Sequence, residues 1–441
     1  MDKLEPLKKE VVEDAKSHST ISFLKSKKKI LIVIFCLLIV VAVGVVAVVI
    51  FYNNTGRLPG PFEKINPSSL SKAEQEGKEY SNGTCTGNQV KKLTHAPIDA
   101  ANITNILPYG GVVGAHVMPI SHGYIWPGKQ NDPRDKYNVY AMADSTLFGI
   151  SSRSVNVDSG QPKQAEFQLQ FSVSCVEFYY YDLITSLTPD LQKYLDEHPA
   201  QQSQGNSVAV SIPIKAGQLV GKIGGQTLDW AVWDFNKTLT GYVMPEHYKE
   251  DFPRIHLVSP FDYMTDELKQ ALLPKLARGA PPVEGKVDYD IDGKLIGGWF
   301  LEDSGSYGGH NQGNGRYWEG HLAIIPDYHD PTFMGVSIGT YSPGKEAQFA
   351  ISRDAPDPKN IGVESGLVKY DLYQRDHTLG DGGMWDRFTP VKDLKGKTNG
   401  PSQGCALFQL IEARKLKVEF TPGRACASST AFTSAARLYI R

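Results

Sequence analysis

The residues best suited to chemistry fall in two stretches of this 441-residue chain. In the first, His122, Asp144, Asp182 and Asp229 are groups that could bind a metal ion or polarise water, and Trp230 and Trp233 follow the last of them in "TLDWAVWD" (227–234). A catalytic zinc takes about three nitrogen or oxygen donors and keeps one position open for water, and neutral imidazole suits it best. One imidazole is too few. His122, Asp182 and Asp229 are therefore weak metal candidates only, and carboxylates on strands more often serve turns or the solvated surface. Read as a strand, "TLDWAVWD" turns Leu228, Trp230 and Val232 to one face and Asp229, Ala231 and Trp233 to the other. A tryptophan face stacks on apolar surface and an aspartate accepts hydrogen bonds, so His122, Asp229, Trp230 and Trp233 are the ligand-binding candidates. The plainer alternative is that both tryptophans fill core. No catalytic residue is assigned.

The second stretch is "GGHNQGNGRYWEGHLAIIPDYHDP" (308–331), with His310, His321, His329 and Asp330. Spacings of eleven and eight between the histidines match no compact ligand motif, and the glycine-rich surroundings read as a solvated loop or hairpin tip. No cofactor is expected from either stretch, zinc included.

The elements that would position these residues are mostly strands. Runs such as "EFQLQFSV", "SVAVSIPI", "MGVSIGTY" and "KLKVEF" alternate with period two between turn residues, and helical patterns are confined to 188–198 and 265–278. The fold class expected is mainly β. A Pro/Gly segment, "GAPPVEG" (279–285), separates a first β region over 91–278 from an all-β C-terminal barrel or sandwich over 286–441, opened by a hairpin at "DIDG". Forty-six basic against forty-eight acidic residues argue against a nucleic-acid partner.

Residues 30–52, "ILIVIFCLLIVVAVGVVAVVIFY", run without a charge, and about 20 apolar residues are what a helix needs to cross a bilayer. A cleaved signal peptide would have a shorter apolar core and a small-residue cleavage site. Lys25, Lys27, Lys28 and Lys29 crowd the N-terminal flank, which places residues 1–29 in the cytoplasm as a tail and the rest outside, in a single-pass type II arrangement. Residues 53–90 are polar and read as a stalk. Cys85, Cys175, Cys405 and Cys426 then lie where disulfides persist. Three pairings are open; Cys405–Cys426 is the local choice, Cys85–Cys175 would tie the stalk to the first region, and free buried thiols are the alternative.

"SHGYIWP" (121–127), "YNVYAMADSTLFGIS" (137–151), "FQLQFSVSCVEFYYYDLITSL" (167–187) and "VSIPIKAGQLVGKIGGQTLDWAVWD" (210–234) resemble, in order, the layout of lysostaphin-type zinc endopeptidase domains. The resemblance implies a barrel-sandwich-hybrid β domain over 91–278. It also implies metal ligands at an early histidine, at an aspartate four residues later, and at a terminal His-x-His. His122 matches the first; Trp126 stands in place of the aspartate, and Thr227, Leu228 and Asp229 in place of His-x-His. The histidine that the family carries after a tyrosine is here Asp182, after Tyr181. What the resemblance implies is thus a degenerate, non-catalytic member with a binding or structural role at the cell envelope, its partner an envelope peptide, glycan or protein; the apolar run adds contact with the lipid bilayer. The alternative is a hydrolase with a rearranged ligand set built from His122, Asp182 and Asp229.

Overall fold

A computed structural model describes residues 70–155, 164–198, 208–309, 316–386, 389–429 and 431–441. The tail expected over 1–29, the span over 30–52 and the stalk up to residue 69 lie outside the described residues. Among the described residues no helix is long and apolar enough to cross a membrane. Residues Ser71–Arg441 form one compact, mainly β unit.

In chain order the first region contains α1 (Lys72–Tyr80), β1 (Ile103–Leu107), β2 (Gly123–Pro127), β3 (Tyr137–Tyr140), β4 (Ser145–Val155), β5 (Gln164–Ser172), β6 (Glu177–Ile184) and β7 (Ser186–Leu187). It continues with α2 (Pro189–Glu197), β8 (Val208–Ile214), β9 (Leu219–Ile223), β10 (Leu228–Asp234), β11 (Leu257–Val258), α3 (Pro260–Tyr263) and α4 (Asp266–Leu272). The large sheet runs β1-β2-β10-β6-β5-β4-β8, with β11 added to β10, and β3-β9-β7 form a smaller sheet. The aromatic run "EFYYYDLI" of β6 shows why the large sheet is apolar on both faces: Tyr179 and Tyr181 enter one core, Phe178 and Tyr180 another. A central strand covered on both sides reads as a continuous apolar run rather than an alternating one.

The second core is shared with the C-terminal region. There β12 (Gly297–Leu301), β13 (His321–Pro326), β14 (Met334–Ser342), β15 (Lys345–Ala350), β16 (Val368–Thr378), β17 (Lys395–Glu412), β18 (Lys415–Pro422) and β19 (Arg437–Ile440) close into a barrel, each strand pairing with the next and β12 with β19. Of the two architectures expected here, the barrel forms, and its lumen is filled by Trp299, Ile324, Ile338, Tyr370 and Phe408. Eight strands enclose a space just wide enough for side chains. The outer wall at Phe300, Ala323 and Ile325 packs with Tyr242, Tyr248 and Trp233 of the first region.

Three expectations need correction. The Pro/Gly segment is a packed junction rather than a free linker: buried Arg278 donates to the carbonyls of Ala280 (2.8 Å), Pro281 (3.3 Å) and Tyr328 (3.0 Å). At "DIDG" the turn forms but no hairpin does. β12 is already paired on both sides by β13 and β19, and Asp290 turns inward to accept the N–H of Gly298 (2.8 Å). The helix expected over 265–278 stops as an α-helix at Leu272, before Pro274, whose ring and missing N–H end the ladder.

A fourth correction concerns the stalk, whose described end is folded onto the sheet. Ser71 and Glu74 form a capping box that starts α1. Tyr80 then inserts edge-on among Phe178, Trp233 and Phe252, and Cys85 bonds to Cys175. The polar composition hid this because α1 buries only a narrow face, Ala73 and Gly77. A β-carbon at Gly77 would lie 1.7 Å from the Cys175 carbonyl oxygen. Helix propensity favours alanine over glycine by about 1 kcal/mol, yet Gly77→Ala is expected to lower the melting temperature, by the equivalent of about 1–3 kcal/mol of overpacking. A raised melting temperature would mean that α1 does not dock.

Candidate functional site

The strand order β2-β10-β6 sets three candidates side by side. Asp229 on β10 lies opposite Asp182 on β6 and Tyr124 on β2, and His122 immediately precedes β2. His122 Nε2 is 3.3 Å from Asp229 Oδ2 and 3.2 Å from the Tyr124 hydroxyl. Asp229 is buried, and its Oδ1 has no hydrogen-bond partner. Burial pushes the Asp229 carboxyl up, while the hydrogen bond and charge of His122 pull it down. His116, which the sequence did not single out, adds a second imidazole with its ring 5.9 Å from that of His122. Burial, aided by the charges of His122 and Arg254, pushes His116 down to about 4.

These groups do not fit a catalytic zinc. Both Asp182 oxygens are engaged: Oδ2 accepts from Arg153 (3.0 Å) and Gln168 (3.2 Å), and Oδ1 from the Leu183 N–H (2.6 Å). The same Arg153 donates to Glu166 (3.1 Å), so a guanidinium already supplies the positive charge beside the carboxylates. Among the described residues, no group of three His, Cys, Asp or Glu side chains could hold a metal ion. Asp144 lies apart from the cluster, where it accepts from the Ala216 N–H (2.9 Å) and Lys215 (3.1 Å) and braces the turn between β8 and β9.

The strand faces of β10 follow the expected alternation, but the two tryptophans line no groove. Trp230 is 1% exposed and meets Phe261 edge-on in the first core. Trp233, 7% exposed, stacks on Tyr180 at 5.0 Å in the second. On opposite faces of a covered sheet they cannot contact one ligand, and both fill core.

The open space lies beside the cluster. A cleft of about 530 Å³ runs between β2 and the barrel, walled by Tyr124, Trp126, Tyr328 and Trp385, with Arg375 and His377 of β16 at its barrel side. Trp126 is thus a wall residue of this cleft. The barrel residues of this cleft carried no sequence signal, because their neighbours across it are more than 200 positions away: Arg375 donates to the Val112 carbonyl (2.6 Å) across 263 residues.

The histidine-rich stretch also differs from the solvated loop expected. His310 lies outside the described residues. His321, His329 and Asp330 are buried, the first on β13 with Nε2 3.0 Å from the Tyr307 carbonyl. Asp330 accepts from Thr332, Gly396 and Arg353, which is a structural role. His329 lies edge-on to His377 and Trp385, behind the cleft wall. The cysteines pair as Cys85–Cys175 and Cys405–Cys426.

No known family model matches the chain, and no curated protein does. Among solved structures it is similar to Csd3 of Helicobacter pylori, at 13% identity and a TM-score of 0.21, over 42% of this chain and 40% of that one. The chain thus spans well under half the length of that protein, and at this score the likeness carries no argument.

Proposed function

We propose that this chain is a non-hydrolytic binding module of the cell envelope, held outside the membrane by its N-terminal span, whose cleft between the large sheet and the barrel receives a peptide or glycan. The observation that carries the reading is the fate of Asp182, whose two oxygens are spent on Arg153, Gln168 and the backbone instead of facing His122 and Asp229. A site built this way is compensated internally and leaves His122 and Asp229, fewer than the about three donors a catalytic zinc takes. The segments that resemble lysostaphin-type peptidases become β2, β3–β4, β5–β6 and β8–β10, and their order brings His122, Asp182 and Asp229 together. That supports a barrel-sandwich-hybrid ancestry with lost ligands. Two disulfides support an oxidising compartment.

Metal analysis of the purified protein tests this directly. Zinc is expected well below one ion per chain, and unchanged in His122→Ala. One zinc per chain, lost in that variant, would instead establish the hydrolase with the rearranged set His122, Asp182 and Asp229; the unpartnered Asp229 Oδ1 is the observation on that side. Tyr124→Ala and Trp126→Ala are expected to weaken binding of whatever ligand the cleft takes, with little effect on melting temperature, because both residues line open space.

A further inference from the structure

We propose that the cleft recognises a carboxylate-bearing sugar, with the carboxylate on Arg375 and a ring hydroxyl on His377. This rests on the reading of the cleft as the binding site. Arg375 and His377 are two residues apart on β16 and so leave the strand on one face, and both line the cleft.

Asp327 sets the chemistry of His377. It is fully enclosed, and its Oδ1 accepts from the N–H groups of His329 (2.9 Å) and Asp330 (3.0 Å) and lies 2.9 Å from His377 Nε2. Burial alone would push this carboxyl up, but the hydrogen bond and charge of His377 and the charge of Arg375 hold it well below the usual carboxylate range. An ionised carboxylate can only accept, so Nε2 turns a hydrogen toward Asp327 and the ring is fixed with Nδ1 as its second polar atom. Nδ1 is spent on no hydrogen bond among the described residues, which leaves it for a sugar hydroxyl, a group that can both donate and accept.

The charge balance favours an anion. Arg353 pairs with Asp330 (2.7 Å), and Arg375 stands 3.8 Å from Asp327, beyond hydrogen-bond reach. The loose pairing of Arg375 leaves its charge within reach of an anion in the cleft that it lines. Apart from the bond to Val112 and the ion pair with Asp327, the donors of Arg375 are unspent among the described residues.

Sugar is favoured over peptide by the state of the walls. Tyr124, Trp126, Tyr328 and Trp385 offer ring faces, on which the C–H faces of a sugar stack. The backbone along the cleft is already paired: Val113 with His116 in both directions (3.1 and 2.9 Å), Gly110 with Ile120 (2.9 Å), and Ile120 with Gly111 (2.9 Å). Along residues 110–120 an extended peptide finds no free strand edge to join among the described residues. The volume, about 530 Å³, falls within the range of small-ligand clefts.

Titration of the purified protein, followed by tryptophan fluorescence, would use digalacturonic acid, its dimethyl ester, and acetyl-Phe-Gly-Phe as a peptide with a free carboxylate. The acid is expected to bind at least about tenfold tighter than the ester, since a charge-assisted pair is lost on esterification. Arg375→Gln is expected to bring the acid down to the affinity of the ester and to leave the ester unchanged. If that variant does not fold, the ratio of acid to ester on the parent protein decides alone. Equal binding of acid and ester overturns the carboxylate assignment and leaves the cleft reading standing, as does binding of the tripeptide without either sugar. Loss of every ligand, with Tyr124→Ala and Trp126→Ala indistinguishable from the parent, overturns both.

Discussion

Replacing Cys85 and Cys175 together by alanine is expected to lower the free energy of unfolding by about 4–5 kcal/mol, the loop-entropy value for a closed loop of this size. The bond joins residues 90 apart, so it removes far more freedom from the unfolded chain than Cys405–Cys426, 21 apart, for which the same relation gives about 3 kcal/mol. Both partners of the long-range bond are buried, and alanine avoids adding a polar group there. Urea unfolding of the two double variants under non-reducing conditions measures the difference, and the first variant should also become sensitive to proteolysis after Tyr80, where α1 loses its tether. A loss below about 1 kcal/mol would mean that the thiols are free in the folded protein.

Acid is expected to unfold the protein through its barrel histidines. Burial pushes His321 and His329 down to about 4, from an ordinary imidazole value near 6.5, and neither His329 nitrogen has a partner that would hold a proton. Because the folded pKa lies below the unfolded one, the unfolded state binds more protons between the two values. The stability that depends on neutral imidazole is complete above pH 6.5 and is lost as the pH falls toward 4, by about 3 kcal/mol for each residue. Glu177 opposes this. Burial, with the nearby charge of Asp234, pushes its carboxyl up to about 7 against the Lys91 N–H, so its contribution is present below about 4.5 and disappears as the pH rises through 7. The comparison that isolates the histidines is therefore the parent against the His321→Gln, His329→Gln double variant, with unfolding free energies measured from pH 7 to pH 4. The parent should lose about 6 kcal/mol more than the variant over that range. Parallel curves would show that both imidazoles are protonated within the fold.

Much of the fold was legible because its signals are short-range. Alternation marked most strands from β4 to β10 and around the barrel, the apolar run of β6 being the exception, and threonines at the helix starts, Thr188 and Thr265, marked two helices. Less legible were the elements defined by what packs against them. Ser71-x-x-Glu74 is a capping signal in plain view, yet a polar nine-residue helix is a marginal structure until Tyr80 and Cys85 find partners about 90–150 residues away. Of the site, the cluster of His122, Asp182 and Asp229 came from matching four segments to a family layout, and Trp126 was noticed only as a missing ligand.

The order of residues along this chain dictated which segments extend, where turns fall and which side chains of β10 share a face, because backbone geometry alternates with period two whatever lies above or below it. Folding in three dimensions settled what those faces meet. A barrel wall covers one side of the large sheet and sends Trp233 into core; Arg153 reaches Asp182 from two strands away; and β16 swings Arg375 and His377 against β2 to shape a cleft. Such meetings depend on how separate elements pack, and packing across hundreds of residues leaves no periodic trace in the sequence.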